Sequence, residues 1–196
     1  MRLNRLEFAL MNNPLRAAVQ RRFEAPRLLR MGGPLRGGSA LELGCGRGVG
    51  TALILDLFGA ERVHAFDLDV RMIRQARRRL AERGDRVGLW VGDATSIAVP
   101  DGGYDAVFDF GIIHHVPDWR RALSEVRRVL KPGGRFYAEE ALAPAIRHSR
   151  YLLRHPQHDR FDAGDFGRGL EEAGLEPIES QAVGGAFAWF VARRAR

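Results

Sequence analysis

The 196-residue chain has a single cysteine, Cys45, and a single lysine, Lys131. One thiol cannot close a disulfide within the chain, so the fold must be held by its core, and a reducing, cytoplasmic setting is expected. No apolar run approaches the roughly 18 residues that would span a bilayer. The opening MRLNRLEFALMNNPLR carries charges inside its apolar stretch and no small-residue cleavage site, and does not read as a secretory signal. There is no repeat and no low-complexity tract. No histidine, cysteine and carboxylate cluster has metal-site spacing, so no metal is expected.

What is present is arginine, glycine and an ordinary apolar share of 45%. Net charge is +7, but residues 1–36 hold eight Arg against two Glu, so almost all of the excess lies in that arm. A basic balance invites nucleic acid or an anionic surface. Its confinement to the arm makes nucleic acid an unfavoured partner and leaves a peripheral membrane contact open. Leu3, Leu6, Phe8 and Leu10 with Arg2, Arg5 and Arg16 suggest an amphipathic lid.

From Ser39 onward, strand and helix patterns alternate. Strands are expected at Ser39–Leu43, Arg62–Phe66, Arg86–Val91, Tyr104–Phe110 and Arg135–Ala141. Helices are expected at Val49–Phe58, at Asp69–Arg83 with Gly84 as its C-cap, and at Trp119–Leu130, closed by Lys131-Pro132-Gly133-Gly134. A stretch from Ala143 to Asp159 is irregular. Then come a helix at Asp162–Ala173 and a hairpin, Leu175–Ala182 and Ala186–Ala192, turned by Gly184-Gly185. Such a pattern gives an α/β sheet, mostly parallel, with one antiparallel edge. Residues 1–33 read as helices outside this core and 34–196 as one domain.

Ligands in such sheets bind beyond the carboxyl ends of the strands. The stretch ALELGCGRGVGT, Ala40–Thr51, puts four glycines at the end of the first strand, two residues after Glu42. A dinucleotide fingerprint requires a third glycine where Val49 stands. Glu42 would also repel a diphosphate but favour an ammonium group. Asp67, 19 residues after Gly48 at the end of the second strand, is spaced to accept from ribose hydroxyls. Asp69 reads as a helix N-cap. Asp93, ending the third strand, reads equally as a turn aspartate or as an acceptor for an adenine amino group.

ALELGCGRGVG, VHAFDLD, VGDAT, FDFGIIHHVPD and VLKPGGRF together resemble the successive motifs of class I S-adenosylmethionine-dependent methyltransferases, most closely the type 11 group. The resemblance implies a Rossmann-like seven-stranded sheet ordered 3-2-1-4-5-7-6, with strand 7 antiparallel, helices on both faces and an N-terminal helical cap. It implies S-adenosylmethionine as cofactor and S-adenosylhomocysteine as product. It places Glu42, Gly44, Gly46 and Gly48 around the methionine end, and Asp67 on the ribose. Leu68 would lie against the adenine, Asp93 and the Ala94 backbone on its edge, and Phe110 and Gly111 near the sulfonium. Segments 1–33 and 143–161 would then be a cap and an insertion shaping the acceptor pocket.

The chemistry expected is in-line methyl transfer to a small-molecule acceptor, lipid-like, quinone or phenolic. His114 is the candidate base or acceptor-orienting residue, by similarity to phosphobase methyltransferases, while His115 is expected to pack against the next helix. His148, Tyr151, His155 and His158 are second-rank candidates, and one of Glu139 and Glu140 should point into the cleft. Asp105 is expected to support strand four, Asp118 to cap a helix and Cys45 to pack. The fourth strand ends in FGII rather than Asn/Asp-Pro-Pro-aromatic, and a lone lysine excludes a catalytic lysine pair. The alternatives are a module that holds the cofactor without turnover and, less favoured, a nicotinamide oxidoreductase.

Overall fold

A computed structural model describes residues 13–143 and 161–196. Seven strands form one sheet: β1 Ser39–Leu43, β2 Arg62–Asp67, β3 Val87–Val91, β4 Tyr104–Phe110, β5 Leu130–Ala141, β6 Leu175–Val183 and β7 Phe187–Arg194. The order is β3-β2-β1-β4-β5-β7-β6, and β7 runs antiparallel to both its neighbours. Six α-helices are described: α1 Pro14–Val19, α2 Ala25–Gly32, α3 Val49–Asp56, α4 Val70–Arg79, α5 Trp119–Val129 and α6 Ala163–Glu172. None of the described helices is long and apolar enough to cross a membrane.

Strand periodicity sorts the core into two layers. Along β4, Ala106, Phe108 and Phe110 join one hydrophobic cluster with Phe58, Tyr137 and Val191, while Val107 joins the other with Leu41, Trp119, Phe136 and Phe166. Phe108 stacks on Tyr137 at 4.6 Å and takes the edge of Phe58 at 4.7 Å. Such pairs add about 0.5–1.5 kcal/mol each beyond area burial. On the opposite layer α5 buries Trp119, Ala122, Leu123, Val126 and Val129, the stripe expected from a 3.6-residue period. Gly169 of α6 gives the Trp119 ring its place, because a Cβ there would overlap it.

The N-terminal helices are not outside the core. Ala25 and Leu28 of α2 are fully buried in the Phe108 cluster, and Arg27 lies over the Trp189 ring at 4.3 Å. The end of α2 presses on β5: Tyr137 Oη donates to the carbonyls of Gly32 and Gly33, and a side chain at Gly32 would overlap the Tyr137 ring. Between α1 and α2 the helix widens into a π turn, Gln20–Glu24, which turns both of those polar residues inward. Two further boundaries differ from expectation. Helix α4 stops at Arg79, and Gly84, at φ 57°, belongs to a following 3-10 segment rather than capping it. Strand β5 starts at Leu130, and Lys131–Gly134 forms a bulge between the Tyr104–Leu130 and Ala106–Arg135 pairs. The expected candidates His148, Tyr151, His155 and His158, the lid residues Leu3 to Leu10, and most of 143–161 lie outside the described residues.

Candidate functional site

Parallel register brings the ends of β1, β2 and β4 to one rim: Glu42 pairs with Ala65 and Phe108, Asp67 with Val91, and Phe110 with Glu139. Two adjoining chambers open on this rim, sharing Gly44, Gly46, Arg47 and Ile112 as common wall. The larger, about 380 Å³, has apolar walls from Phe66, Leu68, Met72, Ala94, Ile112 and Val116 and carboxylates from Asp67 and Asp93 at its edge. Its size and mix of walls suit a flat ligand with a few polar handles. The smaller chamber is lined by Glu42, Gly50 and Phe110 from the sheet side and by Arg16 and Gln20 from the N-terminal helices.

The glycines divide the work between them. Gly46, at φ 51°, has open space where a Cβ would stand, and its N–H donates to Asp67 Oδ2 at 2.9 Å. Gly44 makes room for Ile112. Gly48, at φ 81°, caps α3, but a side chain on it would meet Leu80 and Ala76 of the next helical layer, and it lines neither chamber. Asp67 is fixed by two backbone donors, Gly46 and, at 2.8 Å, Asp69. Burial raises its pKa and those two N–H groups oppose the rise. A carboxylate has about four lone-pair sites, so two remain for a ligand. Asp93 accepts from the N–H and the hydroxyl of Thr95, both at 2.8 Å, so it is a turn aspartate that also edges the chamber. Asp69 caps α4 and Asp118 caps α5, as their spacing suggests. Asp105 accepts from Ser39 and Lys131, and Cys45 is buried in a small apolar cluster.

Glu42 is buried beneath the glycine loop, where Thr51 Oγ1 donates to it and Gly50 leaves space for it. Desolvation lifts its pKa to about 8, the Thr51 hydroxyl works against the rise, and Asp67 and Asp109 reinforce it. A group in that state holds a proton at neutral pH and gives it up to solvent when a cation binds beside it. The acid therefore belongs to the smaller chamber.

Phe110 lines the smaller chamber and is followed by Gly111, at φ 80°, which, like His114, lines neither chamber. A Cβ there would lie 3.8 Å from His114 Cε1 and 3.9 Å from an Arg16 guanidinium nitrogen. Arg16 donates to Glu24 and stands 3.8 Å from Glu139. Burial first, then Glu24, raises the Glu139 pKa well above the carboxylate range, and Arg16 opposes this. Glu140, fully buried, accepts from the N–H groups of Ile113 (2.9 Å) and His114 (3.2 Å) and lies 2.5 Å from His114 Nδ1. Both strand-five acids thus serve this end, on different partners. His115, on a segment that packs against α5 as expected, also lines the larger chamber. Sequence reading did not single out Arg47, Met72, Ile112 or Val116 for the chamber walls, nor Gln20 and Glu24. Only the π turn and the crossing of α1 over the loop, marked by the Arg47 bond to the Asn13 carbonyl, bring the last two in.

A family described as a methyltransferase domain matches residues 40–134, which hold β1 through the start of β5 and the shared wall of both chambers. The chain belongs to the class I S-adenosylmethionine-dependent methyltransferases. A Mycolicibacterium smegmatis protein named "Probable S-adenosylmethionine-dependent methyltransferase" is 33% identical over 148 residues, 75% of this chain and 55% of that protein. The demethylmenaquinone methyltransferase of Symbiobacterium thermophilum is 35% identical over 118 residues, 59% of this chain and 47% of that one. The chain spans about half the length of these curated relatives. In fold, it superposes on a chain from the complex of the Haloferax volcanii Trm112 methyltransferase activator with a methyltransferase, at TM-score 0.81, 19% identity and full coverage of both chains. Class I methyltransferases use S-adenosylmethionine, and the sheet order seen here is the one the sequence motifs imply.

Proposed function

We propose that this chain transfers a methyl group from S-adenosylmethionine to a small molecule, with lipid-like, quinone and phenolic acceptors the first to try. The observation that carries the proposal is the pair of adjoining chambers at the strand ends, the larger apolar with Asp67 and Asp93 at its edge and the smaller holding Glu42 and Phe110, with Gly111 and His114 following Phe110 in the chain. Three features fit the cofactor. Gly46 presents bare backbone to open space, Asp67 has lone pairs left for ribose hydroxyls, and Glu42 is a buried acid able to meet an ammonium group.

On this reading Phe66, Leu68 and Met72 hold the purine, with Asp93 and the Ala94 backbone on its edge. Arg16 and Arg47 are the cations of the smaller chamber and are placed to receive the carboxylate of the amino-acid tail. When bound, S-adenosylmethionine supplies a methyl on positively charged sulfur, and the neutral thioether it becomes needs no acid. The protein's share is then positioning, exclusion of water and removal of the acceptor's proton. Phe110 and Gly111 floor the transfer site, and His114 takes the proton. The relative from Symbiobacterium is named for a quinone-type acceptor, which supports including that class.

Isothermal titration with S-adenosylmethionine, followed by transfer of a labelled methyl to an acceptor panel, tests the proposal. Binding followed by labelled small-molecule product is expected. Binding with no transfer to any acceptor class would favour a module that only holds the cofactor. Protection against thermal unfolding by NAD and not by S-adenosylmethionine would favour an oxidoreductase.

A further inference from the structure

The end of β5 gives His114 a carboxylate partner, Glu140. We propose that Glu140 is a positioning residue: it holds the His114 imidazole in the tautomer protonated on Nδ1, so that Nε2 is the basic nitrogen beside Gly111, and it balances the imidazolium formed when Nε2 takes a proton. The inference rests on the proposed role of His114 as the proton acceptor and adds to it the residue that sets its state.

Glu140 is fully buried, and its two oxygens have distinct jobs. Oε1 accepts the Ile113 N–H at 2.9 Å, and Oε2 accepts the His114 N–H at 3.2 Å and lies 2.5 Å from His114 Nδ1. The first two bonds fix the short 3-10 segment Ile113–His115 against β5, and the third orients the ring that this segment carries. Burial lifts the Glu140 pKa to about 7, while the Asp109 contact and the two backbone N–H groups it accepts favour its ionised form. An ionised carboxylate only accepts, so in that form the shared hydrogen belongs to Nδ1. The same logic governs histidines whose second nitrogen is held by an acid. Asp109 braces the arrangement from β4. Its Oδ1 takes the Ile112 N–H at 2.8 Å, its Oδ2 has no hydrogen-bond donor, and Glu140 is the neighbouring acid that acts on it. Two acids can adjoin in that setting only with a proton between them, and burial together with Glu140 leaves that proton on Asp109.

Among the described residues, the titratable and charged groups around the ring are Glu140 and Glu139 from β5, Asp109 from β4, Arg16 from α1, and His115 at 4.1 Å between ring centres on its own segment. Glu140 is the carboxylate in contact with the ring, so it dominates this balance. In the reaction the acceptor's N–H or O–H gives its proton to Nε2 while its electron pair forms the bond to the methyl carbon. The carbon–sulfur bond breaks with its pair going to sulfur, so charge and atoms balance.

The test reads the ring directly in the free protein. Long-range proton–nitrogen NMR of histidine-labelled protein, with His114 assigned by its loss in His114→Ala, should show the neutral ring protonated on Nδ1. In Glu140→Gln the protonation midpoint of His114 should fall by about one pH unit, a tenfold weaker hold on the proton, because one opposing charge is gone. Glu140→Asp should recover part of that shift. The acidic limb of the kcat/KM profile should move with it, while affinity for S-adenosylmethionine stays as in the wild type. A neutral His114 protonated on Nε2, or a midpoint unmoved in folded Glu140→Gln, overturns the proposal; the wild-type tautomer decides it alone if the variant does not fold. If the tautomer is as stated but His114→Ala keeps full turnover, the base assignment fails and the positioning geometry stands.

Discussion

Replacing Glu42 with Gln should make the free protein more stable and the cofactor complex weaker, and the first effect should grow with pH. Glu42 titrates at about 8 in the folded chain against 4.5 for the ordinary group. A raised folded pKa means that its contribution is fully favourable below the ordinary value and is lost as pH climbs toward 8. Each unit of pH across that window costs the folded state about 1.4 kcal/mol relative to a side chain that never ionises. Gln is such a side chain, of nearly the same shape, and can still accept from Thr51. The stability gap should therefore widen by about 1.4 kcal/mol per unit from roughly pH 5 to pH 8 and then level off, reaching on the order of 3 kcal/mol near pH 7. For a domain of this size that is a melting-temperature rise of roughly 6–12 °C.

Binding runs the other way. An ammonium group in the smaller chamber would draw the proton off Glu42, so S-adenosylmethionine should release close to one proton at pH 7, seen as a dependence of the binding heat on buffer ionisation enthalpy. Glu42→Gln should release none and bind roughly 10- to 100-fold more weakly, the loss of a charge-assisted bond of about 1.5–3 kcal/mol. A variant whose melting temperature shifts equally at pH 5 and pH 8, or one that keeps wild-type affinity, would refute this reasoning.

Asp67→Ala should weaken S-adenosylmethionine binding at least tenfold by titration calorimetry, since it removes a half-buried acceptor and leaves the Gly46 N–H unpaired. Gly50→Ala places a methyl on top of Glu42 and 2.7 Å from the Phe110 ring. Overpacking should cost about 1–3 kcal/mol in a chemical melt despite the better helix propensity of alanine. Arg16→Ala takes the cation from Glu139, whose pKa should rise further. A raised folded value costs stability as pH rises, so the variant's deficit should grow with pH in a series of thermal melts.

The sequence made the parallel part of the sheet legible because β1 to β4 are short runs, largely apolar, that stop at a glycine or an acid, and because Asp69 and Asp118 announce the helices they cap. It also brought Glu42, Gly44, Gly46, Asp67, Asp93, Ala94, Phe110 and Gly111 to one rim, since register in a parallel sheet lines up strand ends. Gly48 was harder to place. Its positive φ is required by the turn, and only the neighbouring Leu80 shows that it faces away from the chambers. Arg16, Glu24 and Glu140 reach the site through contacts across the fold, Arg16 being more than a hundred positions from Glu139, and no local pattern announces such pairings. The same holds for α2. Its Ala25 and Leu28 look like one apolar face of an arm until the sheet they cover is known.

The account depends most on transfer rather than binding. Incubation with S-adenosylmethionine carrying a labelled methyl, against a panel of phenols, quinols, fatty acids and amines, measures it directly. The label should leave S-adenosylmethionine, appear in a small-molecule product and leave S-adenosylhomocysteine, with turnover reduced in His114→Ala. Saturating, tight binding of S-adenosylmethionine with no label in any acceptor would contradict it.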